Sequence, residues 1–167
     1  AVKLVASQGI GTIAAGVVKA GADVINVAGN SGGTGAALKT SIKYAGMPSE
    51  LGLCEVDKAL RDAGLRGQVK LRTSGGFKTP EDVIKAAIMG ADLFEFGTMA
   101  MITDGCVMQR TCNKACEPGV ANDGDKFKGE QINVESFFIN LAAGVKQRML
   151  SLGVKNLSEL RGRLDLL

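Results

Sequence analysis

Histidine is missing from this chain of 167 residues. Its absence excludes Ser-His-Asp triads, imidazole general bases and His-ligated zinc for the chain acting alone. Surplus charge is lacking as well: the net charge is +3, too little to point to nucleic acid or a membrane surface as a partner. No apolar run approaches the roughly 18 residues that a membrane span needs. No signal peptide is recognisable and the first residue is Ala1 rather than Met, so a processed, excised or partial chain is expected. Cysteine is sparse and uneven: of four, three fall between positions 106 and 116. They form no Cys-x-x-Cys pair of the zinc-ribbon kind. Clustered thiols without secretory features imply a reducing, intracellular compartment, either cytoplasm or an organelle matrix or stroma.

What is present reads as α/β. Apolar residues make up 46% and charged residues 22%, an ordinary globular balance, and the length suffices for one domain with a real core. Val2–Ala6 reads as a strand, and Thr12–Ala20 as a helix with Ile13, Val17 and Ala20 on one face. Asp23–Ala28 is a near-continuous apolar strand of the kind buried in parallel sheets. A glycine-rich loop runs from Gly29 to Pro48, followed by a helix over Ser49–Ala63 and a strand over Gln68–Thr73. Thr79-Pro80-Glu81-Asp82 is a strong helix start, with a hydroxyl cap, proline at the first position and acids in the first turn. The next strand carries Leu93, Phe94 and Phe96, a buried pattern, and a helix follows it. Asn133–Leu152 reads as an amphipathic helix and Leu157–Leu160 as the start of a short last one.

Four strands, each followed by a helix, are half of a (β/α)8 barrel. An open sheet of four leaves its first and last strands unpaired, an aggregation hazard. The missing half is therefore expected from the same precursor, another subunit or a second copy. The expected organisation is a C-terminal half-barrel over residues 1–105, a loop over 106–129 and a helical segment over 130–167.

Two strand ends carry phosphate-type turns, Ser74-Gly75-Gly76 and Gly97-Thr98. In these barrels the phosphate site is built from the loops after the last two strands. The turn at Gly97 leads through one helix to Cys106, Cys112 and Cys116, spaced x5 and x3. Three thiolates on an irregular loop suit a 3Fe-4S centre, because cysteine is the usual ligand of such clusters. Between them lie Gln109, Arg110, Asn113 and Lys114, too polar for a core. A flavin nucleotide beside an iron–sulfur centre implies electron transfer. Cys54, among Leu51, Leu53 and Val56, is expected to be a packed core residue. Lys3, in a buried-looking strand, either reaches a flavin ring or anionic ligand or snorkels to solvent. Gly29–Gly35 lacks the lysine of a P-loop.

These pieces together resemble a known family. VKLV, GIGTIAAGVVKAGADV, GGTGA, SIKYAG, KTPEDV, FGT, the cysteine loop and LGVKNLSELRGRLDLL occur in order along almost the whole chain. They resemble the C-terminal half of the FMN-binding synthase domain of the glutamate synthase large subunit. The resemblance implies a (β/α)8 barrel holding FMN and a 3Fe-4S cluster, which reduces 2-iminoglutarate, formed from 2-oxoglutarate and ammonia, to L-glutamate. It places Gly75, Gly76, Gly97 and Thr98 at the phosphate, Lys3 at the flavin ring, and Cys106, Cys112 and Cys116 on the cluster; Ser74, which opens the first turn, is counted with the cofactor-binding residues. It also implies an electron-donor protein or reductase subunit and a 2-oxoglutarate-type small molecule as partners. The chain departs from the pattern at Asn30 and Ser31 (His and Asp in the family), at Ala6-Ser7, at Ser74 (Asp in the family) and in a second cysteine gap shorter by one. Two other outcomes are a half-barrel with a structural or assembly role, and an FMN and iron–sulfur enzyme acting on a different amine or imine.

Overall fold

The computed structural model describes residues 1–31 and 37–167. Four strands, β1 (Val2–Val5), β2 (Val24–Ala28), β3 (Lys70–Ser74) and β4 (Leu93–Glu95), pair in parallel in chain order. Six helices are interleaved with or follow them: α1 (Ile10–Lys19), α2 (Lys39–Tyr44), α3 (Ser49–Asp62), α4 (Pro80–Ile88), α5 (Thr98–Thr103) and α6 (Gln131–Ser151). The register aligns Lys3, Asn26, Arg72 and Leu93 in one row and Val5, Ala28, Ser74 and Glu95 in another. Successive strand residues face opposite ways. Ile25, Val27 and Leu71 therefore point to the helices, where they are fully buried with Ile10, Leu53, Val56 and Leu60. The other face, with Lys3, Asn26, Arg72, Ser74 and Glu95, is the interior of the half-barrel. Each fully buried Ile or Leu contributes on the order of 1.5–3 kcal/mol.

A second apolar cluster ties the C-terminus down. Ile84, Ala87 and Ile88 of α4 pack against Val154 and Leu160, with Val145 and Met149 of α6 alongside. Beneath it lies a buried polar knot. Arg66 donates to Asp57 Oδ1 (2.7 Å), the Val69 carbonyl (3.0 Å), the Gly90 carbonyl (2.8 Å) and Asp92 Oδ2 (2.9 Å). Asp92 also accepts from the Leu71 N–H and pairs with Arg161. Gly90 is obligatory here: its φ is +115° and a Cβ would lie 2.5 Å from Asp57 Cγ.

The structure differs from expectation in five places, the first being β1, which looks buried in sequence but is largely exposed because it is an edge strand among the described residues. The α1 helix begins at Ile10, so its buried stripe is Ile10, Ala14 and Val18, and Ile13 and Ala20 face solvent. The loop expected over Gly29–Pro48 contains α2, none of whose residues is buried; without an apolar stripe, periodicity gave no sign of it. The part of that loop over residues 32–36 lies outside the described residues. Cys54 is exposed rather than packed, because the buried stripe of α3 runs through Leu53, Val56, Asp57 and Leu60 and leaves Leu51 and Cys54 outside. Leu93 is exposed and Phe94 and Phe96 are only half-buried, because β4 is an edge with one unpaired side among the described residues.

The start of α4 forms as its residues dictate. Asp82 Oδ2 accepts from the N–H groups of Lys78 and Thr79, both at 2.9 Å, and Thr79 Oγ1 accepts from the Asp82 N–H. Burial pushes the Asp82 carboxyl up, but these N–H groups, the Thr79 hydroxyl and Lys85 outweigh it and hold it below its ordinary value. A depressed carboxylate stabilises the fold above its unfolded pKa, and that stability is lost as pH falls through the folded value. Asp82→Asn is expected to cost about 1 kcal/mol near neutrality. The gap between wild type and variant in thermal melts should close below about pH 4.

Candidate functional site

A cavity of about 480 Å³ opens at the carboxyl ends of the strands, within the range of small-molecule sites. Lys3 of β1, Ser74-Gly75-Gly76 after β3, and Gly97-Thr98 after β4 all line it, as do Cys106 and Cys112. The sequence-predicted residues thus converge on one space, with the exception of Cys116. A second cavity, of about 100 Å³ by Ser49, Thr73 and Asp82, is too small for a nucleotide. Among the described residues the larger cavity has three cationic side chains, Lys3, Lys78 and Arg110, against one carboxylate, Glu95, which favours an anionic ligand.

The turns are built for close approach. Gly75 and Gly76 have φ of +133° and +80°. Gly97 has ordinary backbone angles and caps α5 without a side-chain hydrogen bond. A Cβ built on it meets nothing within 4 Å. The absence of a side chain there keeps the cavity open and serves no packing purpose inside the chain. Ser74 Oγ is buried and makes no hydrogen bond of good geometry among the described residues; it lies opposite Glu95 in the register and helps to hold that carboxyl below its ordinary value. Phe77 and Phe96 form an apolar wall with ring centroids 5.7 Å apart.

Lys3 turns inward: its ammonium lies 3.8 Å from Glu95 Oε2, with its side chain about half exposed to the cavity and solvent. Glu95 in turn accepts a 2.6 Å hydrogen bond from Asn26 Nδ2, and Asn26 is fully buried. This link was not foreseen from the sequence. Its only signals were a polar residue inside VINVA and an acid inside LFEF.

The cysteine loop has no helix between α5 and α6. Met108 and Arg110 adopt positive φ of 56° and 61°, a strained conformation for side-chain-bearing residues. A 2.6 Å hydrogen bond from Gln109 Nε2 to Glu117 Oε2 closes the loop, and a turn at Thr111–Ala115 separates the last two cysteines. Cys106, Cys112 and Cys116 are free and half-buried, unlike core residues. Among the described residues no three His, Cys, Asp or Glu side chains converge on a single metal ion. A multi-iron cluster takes its thiolates at separate corners, so three spaced cysteines on one loop remain an apt donor set for it. Cys54 stands apart on α3, and although the residue is exposed, partial desolvation of its thiol, with Asp57 and Glu50 nearby, pushes it up, the opposite of what a ligand needs.

The family model for the conserved region in glutamate synthase matches residues 1–155. The chain belongs to the glutamate synthase family. It is 49% identical to the glutamate synthase [NADPH] large chain of Azospirillum brasilense and 48% identical to ferredoxin-dependent glutamate synthase 2 of Synechocystis sp.. In both cases 99% of this chain is covered, but the chain spans only 11% of the relative's length. Among solved structures, a flavocytochrome b2 variant with pyruvate bound superposes with a TM-score of 0.67 at 16% identity, over 97% of this chain and 33% of that one. A mandelate oxidase variant with the monooxide FMN adduct gives 0.65 at 22% identity, over 96% and 40%. At such identities the likeness is one of fold: this member of the glutamate synthase family is the half-barrel that its four βα units predict. Among the described residues no helix is long and apolar enough to cross a membrane.

Proposed function

We propose that this chain supplies half of the flavin site and the iron–sulfur ligands of an oxidoreductase that reduces 2-iminoglutarate, formed from 2-oxoglutarate and ammonia, to L-glutamate. The observation that carries this is the single cavity shared by Lys3, the Ser74–Gly76 and Gly97-Thr98 turns, Cys106 and Cys112. The residues fit FMN: the glycine at 97 leaves open space, Gly75 and Gly76 carry no side chain into the turn, and among the described residues cations outnumber carboxylates. FMN, when bound, supplies hydride to the imine carbon. Gly75, Gly76 and Gly97 let backbone N–H groups approach its phosphate. Lys3 would offer a cation to the ring or to a substrate anion, and Phe77 and Phe96 would keep water from the cavity wall that they form.

Cys106, Cys112 and Cys116 would hold a 3Fe-4S cluster, which supplies a one-electron relay. Free thiols of this kind fit a reducing compartment, cytoplasm or organelle. The printed names of the relatives give NADPH in one case and ferredoxin in another, which supports the reading that a donor protein or reductase outside this chain delivers the electrons. The strands that complete the barrel pair with β1 and β4. Assembled with those strands and given 2-oxoglutarate, ammonium and a chemical reductant, the protein should form L-glutamate. Serine at any of the three loop cysteines should release iron, and Cys54→Ser should not. A flavin-loaded assembly that makes no glutamate would refute the reaction, and an iron-free wild type would refute the cluster.

A further inference from the structure

The interior face of the half-barrel holds a charge arrangement that neither cofactor binding nor packing requires. Among the described residues, Glu95 is the one carboxylate lining the cavity. Asn26 Nδ2 holds it at 2.6 Å from β2, across the intervening β3. Asn26 is fully buried and its other amide atom, Oδ1, has no partner among the described residues. A rigid, desolvated amide of this sort fixes the carboxylate in place. Lys3 reaches the same Oε2 atom from β1. Arg72 lies in the same register row as Lys3 and Asn26, and its Nε is buried without a partner among the described residues.

We propose that Glu95, clamped by Asn26, is a positioning and charge-setting residue for Lys3: it pins the ammonium on the barrel's inner face and withholds part of its positive charge from the ligand in the cavity. This rests on the flavin reading above. Glu95 is ionised for the role: burial pushes its carboxyl up, but the Asn26 amide and the charges of Lys3 and Arg72 prevail and hold it below the ordinary glutamate value. Both charges are partly open to solvent, with side-chain exposures of 52% for Lys3 and 39% for Glu95, so the effect is one of tuning.

Sulfite affinity reads the charge at a bound flavin, because sulfite adds reversibly through its sulfur lone pair and leaves negative charge on the ring. In the FMN-loaded protein, assembled with the strands that complete its barrel, Glu95→Gln keeps an acceptor for Asn26 and removes only the charge. Its dissociation constant for sulfite should fall about threefold to fivefold, the size of a partly screened ion pair, with FMN content and melting temperature unchanged. Glu95→Asp, which retains the charge, should lie between Gln and wild type. Lys3→Met should weaken sulfite binding. An unchanged or raised sulfite constant in Glu95→Gln would overturn the proposal. So would loss of its FMN, since neutralising a carboxylate in an anion-binding cavity should not release a phosphate ester. If Lys3→Met alters neither sulfite binding nor FMN content, the placement of Lys3 at the flavin fails, and that result is distinct from a silent Glu95→Gln.

Discussion

Arg66→Leu is expected to destabilise the fold by about 3–5 kcal/mol, the cost of removing one partner from a buried ionic network. The side chain of Arg66 is 10% exposed and those of Asp57 and Asp92 are 9% and 7% exposed. Leucine fills much of the volume but leaves two carboxylates facing each other. It also strips the Val69 and Gly90 carbonyls of their donor. Arg61 still reaches Asp57 at 2.7 Å, and Arg161 still pairs with Asp92, so the loss is not that of two bare charges. Native domains have only about 5–15 kcal/mol in total, so a cost of this size removes a large share of the stability. Urea titration of the assembled protein should show a much lower midpoint at an unchanged slope. Arg66→Lys, which keeps the charge but has fewer donors, should fall between. A shift below about 1 kcal/mol would mean that the network is redundant.

The knot explains why the C-terminal segment belongs to this fold. Arg161 comes from the last turns of the chain and meets Asp92 just before β4. Gly162 N–H donates to the Ile88 carbonyl at the end of α4. The final residues thus clasp the α4–β4 junction, which sets the position of β4 with Glu95 and of the Phe96-Gly97 turn that follows it.

Local signals were legible in the sequence wherever one segment decides its own structure. The Thr79–Asp82 capping box, the continuous apolar run of β2 and the glycines closing strands each specify backbone conformation within a few residues. The convergence of Gly76 and Gly97 follows from parallel topology, because every strand presents its carboxyl end to the same side; Lys3 sits earlier in β1 and Cys106 follows α5, so their place at the cavity was not set by strand ends. Helix phase was harder. The α1 stripe was misplaced because the helix begins at Ile10, and Cys54 was misplaced because α3 buries a stripe one position away.

The Asn26–Glu95 clamp was not legible, since the two residues are 69 positions apart and meet only through sheet register. A polar residue in a buried strand is conspicuous, yet nothing local names its partner. The strain at Met108 and Arg110 was equally hidden, because a left-handed backbone at such residues is imposed by the loop around them.

The central claim is that the space between the β3 and β4 turns receives the phosphate end of FMN, and Gly97→Val tests it most directly. Position 97 has an unstrained φ of −108°, and its missing side chain would meet nothing within 4 Å. Valine there therefore adds no clash inside the chain, and its methyl groups enter the cavity beside Thr98. Gly76 is a poorer probe, because its φ of +80° makes any side chain costly for folding itself. The measurement is the FMN content of the protein assembled with its missing strands, at matched folding by melting temperature. Wild type should hold one FMN per barrel, and Gly97→Val should hold none while melting as wild type does. A Gly97→Val protein that keeps its full complement of FMN would contradict the assignment.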